Sequence, residues 1–262
     1  MDLNLKGKTA LITGSYRGTG QKIASILSKE GASVIVHGFE EEKVKESAIV
    51  VNTQLQVTGD ITTDQGAEKV AAAVFDLVGH VDILINNYGT AGFGNWLTTS
   101  SEDWIDMYQK NTLSAVRLIK LFVPEMKQNH FGRIIQISTI GATCPNKIMP
   151  HYYASKGALT NLTVSLAKEL KNTGITVNTV SPGLIKTEEL ELYYREKAGK
   201  KGWGDTWEEI EQQIVTHDFP NPVGRIARRE DIGNLVAFLC SHQAGFINGQ
   251  DIHVDGGHLG IV

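Results

Sequence analysis

Short apolar runs alternate along the chain with longer segments that have a helical period. The runs are rich in β-branched and aliphatic residues, and they are continuous rather than alternating with polar positions. Strands that are covered on both faces have this pattern. The predicted strands are Thr9–Ile12, Ser33–Val36, Leu55–Val57, Val81–Ile85, Arg133–Ile137, Ile175–Val180 and Asp251–Val254.

The segments between the runs carry apolar residues three and four positions apart, as amphipathic helices do. Because strands and helices alternate throughout, we predict an α/β fold, with a parallel sheet and helices on both of its faces. We expect the face that contains four leucines to pack against the sheet rather than to form an interface. The predicted helical faces are Ile23, Ile26 and Leu27; Ala67, Val70, Ala71 and Val74; and Leu159, Leu162, Leu166 and Leu170.

Residues 188–221 break this rhythm, since they are charged and contain no predicted strand. A stretch of this length inside a domain is usually a functional lid or a disordered insertion. We predict a lid that closes over substrate, built from two helices, Glu188–Lys197 and Trp207–Val215. Alternatively, Trp203 and Trp207 pack the insertion onto its own domain or onto a neighbouring subunit. The glycines that would permit a hinge are Gly199, Gly202 and Gly204.

Composition narrows the class of protein. The chain has 262 residues, of which 41% are apolar and 21% charged, and its formal net charge is −4. These values exclude disordered, collagenous and coiled-coil classes. A single domain over residues 1–262 is expected, because α/β folds of about 250 residues often form one unit.

The same sequence argues against several partners. It has no lysine- or arginine-rich run for nucleic acid, and Cys144 and Cys240 have no metal-binding spacing. No apolar stretch approaches the roughly 18 residues of a membrane span, and the first residues show no signal-peptide core. We therefore expect a cytoplasmic protein with no metal, no nucleic-acid partner and no membrane partner.

A glycine-rich turn follows the first predicted strand. Such a turn can hold a pyrophosphate against backbone N–H groups and a helix N-terminus. Gly14 would permit the tight turn, Gly18 the close approach, and Gly20 the packing of helix on strand. An ordinary strand–helix turn is the alternative. The turn has the sequence Thr13-Gly14-Ser15-Tyr16-Arg17-Gly18-Thr19-Gly20.

Three further positions carry candidate chemistry, although each is also common in ordinary turns and on helix surfaces. Tyr152 and Lys156 are four residues apart in a periodic segment, so both project from one helix face. A phenol has an ordinary pKa of about 10, and a cation one turn away would lower it towards neutral pH. Ser138 ends the fifth predicted strand, where ligand-facing hydroxyls collect.

Together these motifs resemble the short-chain dehydrogenase/reductase family. The resemblance rests on TGxxxGxG, on NNxG at Asn86–Gly89, on Ser138, on YxxxK and on Pro182-Gly183, and it covers nearly the whole chain. It implies a Rossmann-type, doubly wound parallel sheet of about seven strands in the order 3-2-1-4-5-6-7. It also implies NAD(P)-dependent hydride transfer between nicotinamide and a carbonyl or secondary-alcohol substrate.

The resemblance assigns roles to individual residues. Tyr152 would be the general acid/base, and Lys156 would hold the nicotinamide ribose and lower the pKa of the tyrosine. Ser138 would donate a hydrogen bond to the reacting oxygen, and Asn111 would anchor a water in a proton relay. The implied cofactor-binding residues are Gly14, Ser15, Arg17, Gly18, Thr19, Gly20, His37, Gly38, Asp60, Ile61, Asn87, Gly89, Tyr152, Lys156, Pro182, Gly183, Ile185 and Thr187.

The choice of cofactor depends on the end of the second predicted strand. An NAD-preferring site has an acidic residue there, whereas this chain has Gly38. Arg17 could pair with a 2′-phosphate, which favours NADP(H). NAD(H) stays possible, because Glu40 follows closely and Phe39 stands where an arginine is common. The chain also departs from the family's pattern at Tyr88, a position where the family usually has alanine.

Two other functions compete with a carbonyl reductase or alcohol dehydrogenase. One is a non-catalytic dinucleotide-binding regulator, which would be expected to have a damaged set of catalytic residues. The other is a cofactor-retaining epimerase or dehydratase. The family resemblance also implies a homo-oligomer, a tetramer or a dimer, and the substrate is left open as a small carbonyl or alcohol.

Overall fold

A computed structural model describes residues 2–260 of the chain. Seven parallel strands form one sheet in the order 3-2-1-4-5-6-7, which confirms the predicted fold class and strand order. Two predicted strands have the predicted bounds, and the others differ by one or two residues at an end. The strands are β1 (Thr9–Ile12), β2 (Ser33–Gly38), β3 (Gln56–Thr58), β4 (Ile83–Asn86), β5 (Gly132–Ile137), β6 (Ile175–Pro182) and β7 (Asp251–Val254).

Helices connect the strands and cover both faces of the sheet. Two single turns of π-helix, Gln109–Leu113 and Ile214–Asp218, continue α4 and α8, and a 3-10 turn spans Ile140–Ala142. The α-helices are α1 (Gly18–Lys29), α2 (Glu41–Val51), α3 (Asp64–Val78), α4 (Ser101–Tyr108), α5 (Ser114–Gln128), α6 (Pro150–Glu169), α7 (Glu188–Lys201), α8 (Trp207–Gln213) and α9 (Arg229–Cys240).

Each face of the sheet packs against its own hydrophobic cluster. Successive side chains on a strand point to opposite faces. In β1, Ala10 and Ile12 therefore join a cluster with α1, α2 and α9, whereas Leu11 joins a cluster with α3 and α5. Both faces of the strand are buried, which explains why the apolar runs in the sequence are continuous.

The predicted helical faces are largely buried. Ala67, Val70, Ala71 and Val74 of α3 are all in the core, and Ile23 and Leu27 of α1 are as well. In α6, Leu159 and Leu170 are buried while Leu162 and Leu166 are half-buried, so this face covers the sheet only in part.

The segment after β6 is helical. The first predicted helix extends to Lys201, so Gly199 lies inside α7 rather than in a hinge, and Gly202 ends the helix in the left-handed region with φ +67°. Trp203 and Trp207 are about nine-tenths buried in a third hydrophobic cluster with Tyr194 and Ile210, residues of the same segment. The indoles are therefore used to pack this segment, as in the alternative interpretation.

Among the described residues, no helix is long and apolar enough to cross a membrane. The same part of the chain contains no group of three histidine, cysteine or acidic side chains placed to hold a metal ion.

Candidate active site

The carboxyl ends of the central strands open into a cleft of about 450 Å³. In a doubly wound sheet this edge, beside the point where the strand order reverses, is where ligands bind. The cleft brings together most of the predicted site residues, although they are widely spaced in the sequence. Those that line it are Gly14, Arg17, Gly18, Thr19, Gly20, Asn87, Gly89, Ser138, Tyr152, Lys156, Pro182, Gly183, Ile185 and Thr187.

The glycine-rich turn has the backbone that the motif predicts. Gly14 and Gly18 both have φ +62°, a region that disfavours residues with a Cβ. A Cβ on Gly20 would lie 2.4 Å from Nδ2 of Asn87 and 2.7 Å from the carbonyl oxygen of Gly14. α1 begins at Gly18, so its first N–H groups face the cleft. The turn can therefore bring an anion against the helix N-terminus.

Thr13 connects this turn to the segment after β4. Its hydroxyl accepts hydrogen bonds from the backbone N–H groups of Asn87 (3.0 Å) and Tyr88 (2.9 Å). In return, Nδ2 of Asn87 donates to the carbonyl oxygen of Thr13 at 2.9 Å. Two walls of the cleft are thus held at a fixed separation by one threonine and one asparagine.

Ser15 and His37 support the turn from behind and do not line the cleft, in contrast to their predicted contact with cofactor. His37 is fully buried, and its Nδ1 accepts a hydrogen bond from the N–H of Gly14 at 3.1 Å. Its Nε2 lies 3.2 Å from the carbonyl oxygen of Gly59. A neutral imidazole with the proton on Nε2 satisfies both contacts. Burial lowers the pKa of His37 to about 4.

This histidine predicts an acid-sensitive fold. Between pH 6.5 and 4 an unfolded His37 takes up a proton that the folded protein excludes, so the free energy of unfolding falls as the pH falls. The loss reaches about 3 kcal/mol at the lower end of this range. In urea unfolding at pH 7 and pH 4.5, we expect His37→Asn to lose less stability than the wild type on acidification. His130→Asn, at an exposed position, is the control, and an equal loss in all three proteins would refute this role.

Gly38 lies beneath Tyr16 and does not line the cleft. A Cβ at this position would lie 2.7 Å from Cγ2 of Val44 and 3.0 Å from the ring of Tyr16. Tyr16, which the sequence analysis did not single out, lines the cleft in its place, and the contact of Gly38 with cofactor stays a prediction. The packing also explains why no acidic side chain stands here.

Arg17 is exposed at the rim of the cleft, where its Nη1 lies 2.5 Å from Oε1 of Glu189 in α7. Tyr88 forms part of the floor and packs on Phe39, with ring centroids 4.9 Å apart. The bulky ring at this unusual position therefore reshapes the floor of the cleft rather than pointing away from it. Lining residues that sequence reasoning missed include Thr90, Ala91, Thr139 and Glu189.

Ser138, Tyr152 and Lys156 meet at the inner end of the cleft. The ammonium group of Lys156 donates to the carbonyl oxygen of Ile137 at 2.8 Å, and the hydroxyl of Ser138 donates to the carbonyl oxygen of Lys156 at 3.1 Å. Strand β5 and helix α6 are thereby joined at the residues that the family resemblance predicts to be catalytic. The spacing of Tyr152 and Lys156 places them one turn apart on α6.

The pKa values of this pair differ from the sequence-based expectation. Burial raises the pKa of Tyr152 above its ordinary value, and burial lowers the pKa of Lys156 to about 8. The expectation was a tyrosine pKa lowered by the neighbouring cation. In the structure desolvation outweighs that effect, because both groups are buried and the ammonium is hydrogen-bonded to Ile137. Tyr152 is therefore a protonated phenol at neutral pH.

Asn111 lies behind the cleft rather than in its lining. It is buried in the π-helical turn after α4, where its Oδ1 accepts from the N–H of Thr90 at 2.8 Å and its Nδ2 donates to the carbonyl oxygen of Thr90 at 2.9 Å. A Cβ on Gly89 would lie 2.6 Å from this Oδ1 and 2.8 Å from Nζ of Lys156. Asn111 thus fixes the segment after β4, and only a glycine leaves room beside Lys156.

Asp60 and Ile61 do not line the cleft either. The carboxylate of Asp60 accepts from the N–H and the hydroxyl of Thr62, at 2.8 and 2.6 Å, and Ile61 is buried in the core. Their contact with adenine stays a prediction.

The comparison with known proteins agrees with this geometry. A family model described as "Enoyl-(Acyl carrier protein) reductase" matches residues 14–258. The chain belongs to the short-chain dehydrogenase/reductase family.

Relatives in this family match over almost their whole length. The chain is 36% identical over 260 residues to the uncharacterized oxidoreductase YvaG of Bacillus subtilis (strain 168), with 98% of each chain covered. It is 34% identical over 255 residues to the 3-oxoacyl-[acyl-carrier-protein] reductase FabG of Haemophilus influenzae, covering 97% of this chain and 98% of the relative.

Solved structures of the short-chain dehydrogenase/reductase family superpose closely. The L-sorbose reductase of Gluconobacter frateurii, solved in complex with NADPH and L-sorbose, has a TM-score of 0.93 and 32% identity, with both chains fully covered. A 7α-hydroxysteroid dehydrogenase complexed with NADH and 7-oxo glycochenodeoxycholic acid has a TM-score of 0.85 and 32% identity, over 98% of this chain and 96% of that one.

Proposed function

We propose that the protein is an NADPH-dependent reductase of a small carbonyl substrate, which it converts to a secondary alcohol. The observation that carries the proposal is the cleft itself, where a glycine-rich turn and the side chains of Ser138, Tyr152 and Lys156 face one space. The similarity to a reductase solved with NADPH supports this cofactor, and the dehydrogenase solved with NADH keeps NAD(H) possible.

The cleft fits a dinucleotide. At Gly18 no heavy atom lies within 4 Å of the position that a Cβ would take, so the turn is open to a ligand. A pyrophosphate would be held by the turn and the first N–H groups of α1. The nicotinamide end would be held by Lys156 and by the segment from Pro182 to Thr187, which follows β6 and lines the same cleft. When bound, the cofactor supplies the hydride.

The protein's own residues supply the proton and the orientation. Tyr152 donates its phenolic proton to the carbonyl oxygen as hydride reaches the carbonyl carbon. The hydroxyl of Ser138 would exchange its hydrogen bond to the carbonyl oxygen of Lys156 for one to the same substrate oxygen, and would stabilise the charge that develops there. Because burial keeps the phenol protonated, Tyr152 is in the form that reduction requires. Asn111 acts by fixing the segment after β4, and in the proton relay it would hold a water.

A non-catalytic dinucleotide-binding regulator is the competing function. It would keep the glycine-rich turn but would have no need for all four of Asn111, Ser138, Tyr152 and Lys156, which are present together. The decisive experiment is a kinetic assay of NADPH oxidation across a panel that includes ketoses, 3-oxoacyl thioesters and oxosteroids. Oxidation dependent on one carbonyl class supports the reductase, whereas tight NADPH binding with no turnover across the panel supports the regulator.

We further propose that the chain forms a single domain and that residues 188–221 act as a lid over its cleft. Glu189, at the start of α7, lines the cleft, so this segment borders the space that cofactor and substrate would occupy. Trp203 and Trp207 pack in a cluster that also includes Ile140 and Ile226 outside the segment, so movement of the lid would have to shift these contacts. Hydrogen exchange over residues 188–221 is expected to slow when cofactor and substrate bind. Equal and strong protection in the free and ternary states would leave a static insertion.

The proposed homo-oligomer rests on family membership. Val164 of α6 is 42% exposed beside the half-buried Leu162 and Leu166, so this helix has apolar surface left for a second copy. Light scattering coupled to gel filtration would distinguish a monomer from a dimer or a tetramer.

A further inference from the structure

A second cleft lies at the opposite end of the sheet from the candidate active site. It measures about 490 Å³ and opens where β5 and β6 begin, beside the end of α6. Arg133 and Thr176 line it and are register partners on adjacent strands, so both side chains project from the same face of the sheet. Lys168 and Lys171 also line it, and no acidic residue of the described chain does.

Arg133 brings a buried positive charge to this cleft. Its side chain is only 3% exposed, yet no carboxylate within residues 2–260 forms an ion pair with it. Nε donates to the carbonyl oxygen of Ser241 at 3.1 Å, and Nη1 donates to those of Gly132 at 2.8 Å and Gly174 at 3.2 Å. Nη2 makes no hydrogen bond to any described residue. It lies 3.7 Å from the position of a Cβ on Gly245, which lines the cleft.

A buried charge without a counter-ion is costly, and the carbonyl groups together with the Phe131 ring, whose centroid lies 4.5 Å from the guanidinium carbon of Arg133, compensate for it only in part. A second polar group at the same place is also unsatisfied, since the buried Oγ1 of Thr176 has no hydrogen-bond partner among the described residues. The positive field extends beyond the cleft. Burial is the main cause that lowers the pKa of His242, and the charges of Arg133 and Lys8 lower it further. This end of the sheet is therefore electropositive and incompletely paired.

We propose that this cleft binds a phosphate group, either as the free ion or on a small phosphorylated molecule, through Arg133, Lys168 and Lys171. A guanidinium nitrogen with a free N–H suits a phosphate oxygen, and two ammonium groups at the rim match the charge of about −1.5 to −2 that such a group carries at pH 7. The carbonyl groups at the C-terminus of α6 oppose an anion, so we expect millimolar rather than micromolar affinity.

The test is calorimetric titration of the full chain with inorganic phosphate at constant ionic strength, in the presence of saturating NADP⁺. One saturable site is expected, together with a rise in Tm of about 2–4 °C at a tenfold excess over Kd. Acetate, with a single charge, should bind several-fold more weakly. Loss of phosphate binding in the presence of NADP⁺ would overturn the proposal, because it would assign the ion to the glycine-rich turn.

Substitutions test which residues form the phosphate site. Lys168→Ala with Lys171→Ala should weaken phosphate binding at least about tenfold, the effect of losing a charge-assisted contact. The matched control, Lys120→Ala with Lys127→Ala, removes two exposed lysines of α5 that have no ion pair among the described residues, and it should leave Kd unchanged.

A further variant completes the design. Arg133→Gln should abolish phosphate binding. The lysine variant decides the matter if Arg133→Gln does not fold. Equal phosphate affinity in the wild type and in the Lys168→Ala/Lys171→Ala variant would mean that these lysines only offset the partial negative charge at the C-terminus of α6. That outcome, or the absence of saturable binding, would overturn the proposal.

Discussion

Replacing Tyr152 with phenylalanine is expected to lower turnover by at least about a hundredfold, the lower end of what a general acid contributes. The substitution removes only the phenolic oxygen, so the ring still packs on α6 and NADPH should bind with nearly unchanged affinity. The two readouts are the steady-state rate and the cofactor Kd from fluorescence titration.

Tyr153 provides a matched control on the next residue. Its hydroxyl accepts a hydrogen bond from Nδ2 of Asn146 at 2.9 Å and does not line the cleft. Tyr153→Phe should therefore retain most of the activity. If Tyr152→Phe were as active as Tyr153→Phe, Tyr152 would not be the proton donor.

Arg17→Ala is expected to weaken NADPH binding by about ten- to a hundredfold, the range for a charge-assisted hydrogen bond to phosphate. NADH lacks the 2′-phosphate, so Arg17 makes no charge-assisted contact of this kind with it. The Kd of NADH should therefore change by less than about twofold, no more than the effect of an exposed ion pair. The measurement is the ratio of the Kd values of the two cofactors. An equal effect on both would mean that Arg17 does not select the cofactor.

Replacing Glu189 tests the same contact in the opposite direction, because NADPH affinity should rise rather than fall. Both members of its ion pair with Arg17 are about 60% exposed, and such pairs contribute little to stability. Glu189→Gln should release Arg17 and strengthen NADPH binding without changing NADH binding. Lys22→Ala, which removes a cation of α1 paired with Glu230 outside the cleft, should change neither.

Sequence patterns predicted the fold because burial on both faces of a parallel strand leaves a direct signal. The run at Thr9–Ile12, buried throughout, matches β1 residue for residue. Asp251–Val254 matches β7 in the same way, although this edge strand is only half-buried. The proposed catalytic positions were accessible only through the family resemblance, because the helical spacing of Tyr152 and Lys156 and the strand-end position of Ser138 are each common elsewhere.

The contacts that support the candidate site could not be predicted from the sequence in this way. Nothing in the spacing reveals that His37 accepts a hydrogen bond from Gly14, and the family resemblance suggested a cofactor contact instead. The pKa of Tyr152 depends on a balance between burial and a nearby cation, and only the structure gives the burial. Arg133 belongs to a predicted strand, but its lack of a carboxylate partner depends on segments far away in the sequence.

The central claim is that the protein catalyses hydride transfer in this cleft, from NADPH to the carbonyl carbon of a substrate. The most direct measurement is mass spectrometry of the products after incubation with NADPH that carries deuterium at both C4 positions and with the carbonyl panel. The account predicts an alcohol that carries one deuterium on the former carbonyl carbon, formed by the wild type and at least about a hundredfold more slowly by Tyr152→Phe. Binding of NADPH with no deuterium transferred to any carbonyl of the panel would contradict it.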